Sequence, residues 1–267
     1  PVTYLHTNEQ GEPDIDQLEK LLRKNKDSLV SLMHGNNEIG NLLDIEKAGE
    51  LCMKYGAVFH SDTVQTIAHY PFELSRFPVH SVAGSAHKFH GPKGIGIMYL
   101  KAGTSIPPFI DGGAQERNMR GGTENIYGIV GMAKALEIAS QEHHDNRVHI
   151  EGLKKQMIEE ISQIDGIQFN GLSGNMSRSL YTVLNVSLPP TDDNDMLLFG
   201  LDINKIAASG GSACSSGSSL GSHVLDAMGS NPERGYVRFS FSKYNTSEDI
   251  TTTVNILKEV YQGKKVL

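Results

Sequence analysis

Tryptophan is absent from the 267 residues, only two cysteines occur, and aromatic residues make up 7%. Two cysteines cannot build a disulfide framework, and a chain of this length, which buries roughly three-quarters of its unfolded surface, needs none. No stretch of about 18 apolar residues exists, so no membrane span is expected. No signal-peptide pattern opens the sequence, which makes a reducing, cytoplasmic compartment the expectation, any targeting signal on a preceding segment aside. Eleven histidines occur, yet neither an HExxH nor a CxxC spacing does, so metal catalysis is not expected. Positive charge is in deficit as well: 24 Lys and Arg against 31 Asp and Glu leave a net charge of −7. Without a basic stripe, DNA binding is not expected. Internal repeats, low-complexity tracts and long linkers are also missing. What remains is a soluble globular composition, 38% hydrophobic and 21% charged, of a length that suits one or two domains.

The pattern of the first half alternates between strand and helix. Asp14–Lys24 places Ile15, Leu18, Leu21 and Leu22 at helical spacing, and Leu29–Met33 reads as a buried strand. Asp44 caps a helix through Ile45, Ala48, Leu51, Cys52 and Tyr55 that Gly56 ends. Ala57–His60, Val79–Ala83 and Gly94–Leu100 read as further strands, and Val2–Leu5 reads as one at the very start, as if the sequence begins inside a larger unit. Strands alternating with helices point to an α/β fold with a largely parallel sheet. Two long amphipathic patterns, Glu124–Gln141 and Val148–Ile164, follow, and the polar His143–Asn146 break between them is the expected domain boundary. Beyond it, a strand at Tyr181–Leu188, a short helix capped by Ser222, a strand at Tyr236–Ser242 and a last helix opened by Thr246 and Asp249 describe a smaller α+β unit. The domains expected are therefore 1–142 and 143–267.

Three segments carry chemistry. Gly84-Ser85-Ala86-His87-Lys88-Phe89-His90-Gly91-Pro92-Lys93-Gly94 follows a strand. Its serine and histidine can donate to a phosphate, and a lysine among such groups can form a Schiff base. On composition alone the segment reads more simply as a surface turn with a solvated lysine. In His60-Ser61-Asp62-Thr63-Val64-Gln65, Asp62 stands just past a strand end, where α/β sheets place ligands, and can pair with a protonated pyridine nitrogen. A helix-capping aspartate is the equal alternative. In Ser209-Gly210-Gly211-Ser212-Ala213-Cys214-Ser215-Ser216-Gly217, the thiol sits in a glycine/serine tract where exposure and mobility make it a candidate nucleophile, or a linker thiol without a role. Cys52 reads as core. Asn36 and Asn37 offer two amides, with an Asx turn as the alternative. Arg238 lies inside a strand pattern, as an exposed residue or a carboxylate clamp. The run Gly112–Asn125, with Arg117, Arg120 and Thr123, could reach a phosphate.

In order and spacing, Asn36-Asn37-Glu38-Ile39-Gly40, His60–Gln65, Gly84–Lys88 with Gly91-Pro92-Lys93-Gly94, Arg120-Gly121-Gly122-Thr123, Ser212-Ala213-Cys214-Ser215 and Val237-Arg238-Phe239-Ser240 resemble the cysteine desulfurases. These are pyridoxal-phosphate enzymes of the class V aminotransferase type. The resemblance covers essentially the whole sequence. It implies a fold-type I architecture, with a large cofactor domain whose mostly parallel sheet is truncated at its start and a small C-terminal domain carrying the mobile cysteine loop. It implies that Lys88 holds the cofactor and later moves the substrate α-proton. Asp62 would pair with the pyridine nitrogen, Gln65 with the ring hydroxyl, and Ser85 and His87 with the phosphate. Thr123 would reach the cofactor of a second subunit, so a homodimer is implied. Asn37, also counted among the cofactor contacts, and Arg238 would hold the carboxylate of L-cysteine. Cys214 would take the substrate sulfur as a persulfide, leave L-alanine and hand the sulfur to an acceptor protein such as an iron–sulfur scaffold. The family's long N-terminal part, with its ring-stacking histidine and phosphate-loop threonine, has no counterpart in this sequence. A selenocysteine lyase, another class V enzyme, and an inactive or split subunit that acts as a binding partner are the alternative readings.

Overall fold

The computed structural model describes residues 1–191, 194–210 and 222–261. It divides into two compact units. One comprises Glu19–His34 and Asp44–His143; the other comprises Pro1–Leu18, Gly35–Leu43 and His144–Leu267. The division falls at His143/His144 and differs from a split into 1–142 and 143–267 in two short N-terminal pieces. Their bonds explain the grouping: Asn41 Nδ2 donates to Gln10 O at 2.7 Å, Leu172 N to Asn41 Oδ1 at 2.7 Å, and Leu180 N to Gly40 O at 2.7 Å.

Helix α1 (Ile15–Lys24) is capped by Asp14, whose Oδ1 accepts from Gln17 N at 2.8 Å. In the 19–143 unit, strand β1 (Leu29–Met33) leads through Gly35–Leu43 of the other unit to helix α2 (Ile45–Lys54), then to β2 (Val58–Asp62), β3 (Ser81–Ser85) and β4 (Gly96–Leu100). Asp44 Oδ1 accepts from Lys47 N at 3.0 Å, the cap that its position predicts. The sheet runs β1-β2-β3-β4, with the first two pairings parallel and β3–β4 antiparallel. The reversal follows from the link Ala86–Ile95, which is shorter than the dozen or so residues that a parallel crossover requires. β2 and β3 each extend further than the apolar runs suggested, to Asp62 and Ser85, because pairing continues past the hydrophobic residues: Asp62 stands opposite Ala83 in the parallel ladder, Thr63 N donates to Ala83 O at 3.0 Å, and Ser85 stands opposite Gly96 in the antiparallel one. Val79 lies before β3 in a turn. Beyond a distorted turn α3 (Gln115–Asn118), α4 (Ile126–Gln141) is capped by Asn125.

Two expectations are corrected. Val2–Leu5 is not a strand; no segment among the described residues pairs with its backbone, and Val2 and Tyr4 are exposed. The His143–Asn146 break is helical, since α5 (His143–Ile161) starts at His143 and only Glu142 separates it from α4. Polar residues there occupy the first turn, where Asp145 also suits the helix dipole.

In the other unit, α5 buries Ile150, Leu153, Met157 and Ile161 at helical spacing. The antiparallel sheet is β5 (Gln168–Phe169), β6 (Val183–Leu188) and β7 (Gly235–Ser240), with β6 buried along its length. Helices α6 (Leu197–Ile203), α7 (His223–Ala227) and α8 (Ser247–Tyr261) complete it. Thr246 and Asp249 form a reciprocal cap on α8, with Thr246 N donating to Asp249 Oδ2 at 2.8 Å and Asp249 N to Thr246 Oγ1 at 3.2 Å. No described helix is long and apolar enough to cross a membrane.

Lys154 breaks the apolar face of α5. It is fully buried, and its Nζ donates to Ser179 Oγ and Leu180 O, both at 2.7 Å. Burial pulls its pKa down to about 7. The unfolded lysine therefore binds more protons than the folded one between about pH 7 and its ordinary value near 10.5, and this group makes stability rise with pH across that window. Urea melts of Lys154→Met and the parent protein are expected to show the parent gaining on the variant from pH 7 to pH 9.5, by on the order of a few kcal/mol. A pH-independent difference would exclude a titrating Lys154.

Candidate active site

Asp62 ends β2 and Ser85 ends β3, so the parallel pairing sets both at the carboxyl edge of one sheet. Asp62 is exposed, and its Oδ1 accepts from Val64 N at 2.9 Å while the carboxylate keeps further acceptor capacity. Beyond Ser85 the chain makes a 3₁₀ turn, Ala86–Phe89, that presents His87 and Lys88. Ser85 Oγ and His87 Nδ1 lie 2.8 Å apart, a hydroxyl and an imidazole grouped as donors.

The turn is held from several sides. Ala86 N donates to Ile95 O at 3.1 Å and Gly91 N to Ala86 O at 2.9 Å. A Cβ on Gly91 would meet Ala86 O at 2.9 Å, so the tight return needs glycine. Helix α4 closes on it from Gly131, where a Cβ would stand 2.6 Å from Pro92 Cγ. His69 Nε2 lies 2.9 Å from Lys88 O. Burial pushes the His69 pKa down, which favours the neutral ring, and since a carbonyl only accepts, Nε2 carries the proton and donates. His143 Nε2 bonds His69 O in turn at 3.0 Å. The sequence assigned neither histidine a role at this turn, because the only signal is a contact across 19 and 74 positions. Gln65 is partly buried on the segment after β2, and Thr123 is exposed just ahead of α4. His34 is half-buried. Its Nδ1 lies 3.0 Å from Thr66 Oγ1, its ring meets Phe72 edge-on, and burial lowers its pKa to about 4.

The other unit holds Asn37 and Arg238. Asn36 makes the Asx turn, with Oδ1 accepting from Glu38 N at 2.8 Å and Ile39 N at 3.0 Å. Asn37 O accepts from Arg238 Nη1 at 2.8 Å. Arg238 stands opposite Asn185 on β7, and its buried Nε has no partner among the described residues. Burial lowers the guanidinium pKa, with the Glu38 charge opposing. An unspent donor on a partly desolvated guanidinium suits a carboxylate. Cys214 lies outside the described residues. Cys52 is buried on α2, and desolvation lifts its thiol to about 11, so it is inert. No described group of three His, Cys, Asp or Glu side chains could hold a metal ion.

Residues 1–252 match the model of a family described as aminotransferase class-V. The chain belongs to that family. It is 39% identical to the cysteine desulfurase IscS of Dictyoglomus turgidum, covering 100% of this chain and 67% of the relative. It is 37% identical to the cysteine desulfurase IscS of Methanosarcina thermophila, covering 98% and 64%. A NifS-like protein from Rickettsia africae superposes with a TM-score of 0.86 at 30% identity, over 97% of this chain and 69% of that one. The chain thus spans about two thirds of the length of its curated relatives.

Pyridoxal phosphate is the cofactor of this family, and the donor set suits it. A carboxylate at Asp62 matches a protonated ring nitrogen, the Ser85–His87 pair matches a phosphate, and Lys88, the next residue after His87, offers an amine.

Proposed function

We propose that the protein is a pyridoxal-phosphate-dependent cysteine desulfurase that converts L-cysteine to L-alanine and carries the sulfur as a persulfide on Cys214. The observation that carries this reading is the gathering of Asp62, Ser85, His87 and Lys88 at the carboxyl edge of one sheet. In this reading the large cofactor domain is 1–142 and the small domain is 143–267.

Asp62 holds the ring nitrogen and Gln65 the ring hydroxyl. Ser85 and His87 donate to the phosphate together with Thr123 of a second copy of the chain, and Asn37 contacts the cofactor on the side of the substrate. The homodimer is supported by α4, where Ile126, Tyr127 and Val130 form an exposed apolar group directly after Thr123. Lys88 Nζ anchors the cofactor and moves the substrate α-proton. When bound, the cofactor supplies an electron sink for the substrate carbons. Arg238 and Asn37 hold the substrate carboxylate, with the free Arg238 Nε taking one oxygen. Cys214 attacks as the thiolate: Sγ bonds to the substrate sulfur, the Cβ–S bond breaks, and its electron pair stays on carbon, which is protonated to alanine. A sulfur-acceptor protein of the iron–sulfur scaffold type then receives the sulfur in the cytoplasm.

With pyridoxal phosphate and L-cysteine the protein is expected to release alanine, and sulfide once a reductant is added. Arg238→Gln is expected to raise KM roughly 10- to 100-fold with a smaller change in kcat, because a carboxylate contact is lost. Absence of cysteine-dependent alanine would sink the assignment.

A further inference from the structure

Asp62 ends β2 and Gln65 lies on the segment that follows it, while Ser85, His87 and Lys88 lie on the turn at the end of β3. Both arms belong to one unit. The segment after β2 is folded onto β3 by its own bonds. Thr63 gives both its N–H and its hydroxyl to Ala83 O, at 3.0 and 2.8 Å, and Ile67 N donates to Thr63 O at 2.8 Å. A Cβ on Gly84 would stand 2.9 Å from Ile67 Cδ1, so the segment packs directly on the strand. Ala68 then takes φ 65°, a left-handed conformation that alanine seldom adopts. His69 N and Tyr70 N both return to Thr66 O, at 3.0 and 2.9 Å, and His143 Nε2 donates to His69 O at 3.0 Å. These bonds hold the strained corner, and from it the half-buried imidazole of His69 reaches the carbonyl of Lys88.

In the turn Ala86–Phe89, the N–H groups of His90 and Gly91 both return to Ala86 O. The backbone bonds of the turn thus close on Ala86, and the later carbonyls of such a helical end are met by other donors. His69 Nε2, 2.9 Å away, meets the carbonyl of Lys88. A planar peptide whose oxygen is held has its orientation set, so this bond fixes the plane between Lys88 and Phe89 and, with it, the direction in which the Lys88 side chain departs. The same bond spans the two arms, since it joins the segment of Asp62 and Gln65 to the turn of Lys88.

We propose that His69 is a positioning residue for Lys88: by clamping the Lys88 carbonyl from the segment that carries Asp62 and Gln65, it sets the lysine amine relative to the groups that receive the cofactor ring. The inference rests on the reading of Lys88 as the cofactor's lysine. In this role His69 acts through the backbone of Lys88, not on cofactor or substrate. Without the clamp the amine samples more orientations, and both steps that use it slow. One is condensation with the cofactor aldehyde, in which Nζ takes the place of the aldehyde oxygen and that oxygen leaves as water with the two amine protons. The other is movement of the substrate α-proton. A misplacement of about 1 Å costs up to about 100-fold in steps of this kind.

The test adds pyridoxal phosphate to the cofactor-free protein and follows formation of the lysine link by stopped-flow absorbance, a rate that needs no cysteine turnover. Borohydride reduction and peptide mapping then locate the link, and kcat and KM for L-cysteine are measured on the loaded protein. His69→Leu, which fills the space without a donor, is expected to slow link formation about tenfold or more. Its kcat is expected to fall by a similar factor while KM stays within about twofold, because the groups that bind cysteine are untouched. His69→Gln carries an amide N–H about where the imidazole Nε2 stands and is expected to stay within about threefold of the parent in both rates. The shorter amide of His69→Asn falls short of Lys88 O and is expected to be as slow as the leucine variant; the Asn–Gln pair decides the question if His69→Leu does not fold. Parent-like link formation in the leucine and asparagine variants overturns the inference, as does a glutamine variant as slow as they are, or a loss that appears in KM alone. Mapping in the parent separates the two readings. A label on another lysine removes the role of Lys88 itself; a label on Lys88, with parent-like rates in the leucine and asparagine variants, removes only the role of His69.

Discussion

A Lys88→Ala variant is expected to lose the visible absorbance that pyridoxal phosphate gains on a lysine, together with cysteine turnover by roughly 10³-fold or more, since it removes both the anchor and the proton-moving group. The turn around Lys88 is built by other bonds: Ala86 N to Ile95 O, Gly91 N to Ala86 O, and His69 Nε2 to the Lys88 backbone carbonyl. All three survive the substitution, so the fold is expected to stay intact. Near-parent urea midpoints alongside the lost absorbance would separate a chemical effect from a structural one. Bright, active Lys88→Ala protein would exclude Lys88 as the cofactor's lysine.

The second large effect is expected at Cys214. Cys214→Ser should keep the cofactor absorbance of the parent, because Asp62, Ser85, His87 and Lys88 are untouched. Cysteine-dependent alanine and sulfide should fall by roughly 10³-fold or more, since a serine hydroxyl stays protonated near neutrality and is a far poorer nucleophile toward sulfur than a thiolate. Cys52 cannot substitute: it is buried, and its thiol is pushed up to about 11. The measurement is alanine by amino-acid analysis under single-turnover conditions, with absorbance recorded on the same sample. The opposite signatures of the two variants, one colourless and one coloured, assign the two roles independently.

The placing of the candidate residues at strand ends was readable because its signals are local. A strand followed by Asp62, and another by Ser85, His87 and Lys88, predict ligands at strand ends, and the parallel pairing of β2 with β3 puts them on one sheet edge. Asp44, Ser222 and the Thr246–Asp249 pair cap the helices that their spacing announced. Asn36 shows the reverse: of the two amides that the pattern offered, it is the one spent on an Asx turn.

The residues that reading missed share one property, which is that their partners are remote. His69 is found only through Lys88 O, Glu38 only through Ser222, and Lys154 only through Ser179 and Leu180. A lysine at helical spacing with leucine and methionine looks like a stem that reaches solvent. Its burial depends on how Ser179 and Leu180 of another segment close over it.

By itself, then, the sequence determined most of the longer elements, several of their caps, the placing of polar groups at the strand ends and the core position of Cys52. These follow from side-chain periodicity and from hydrogen bonds spanning a few residues, which each segment satisfies alone. Only the tertiary structure decided that β4 returns antiparallel, that Gly35–Leu43 joins the C-terminal residues, that Glu38 meets Ser222 and that Ser209 pairs with Arg238. Pairing direction, burial and long-range bonds depend on which distant backbone supplies the partner, and no local pattern of residues encodes that choice.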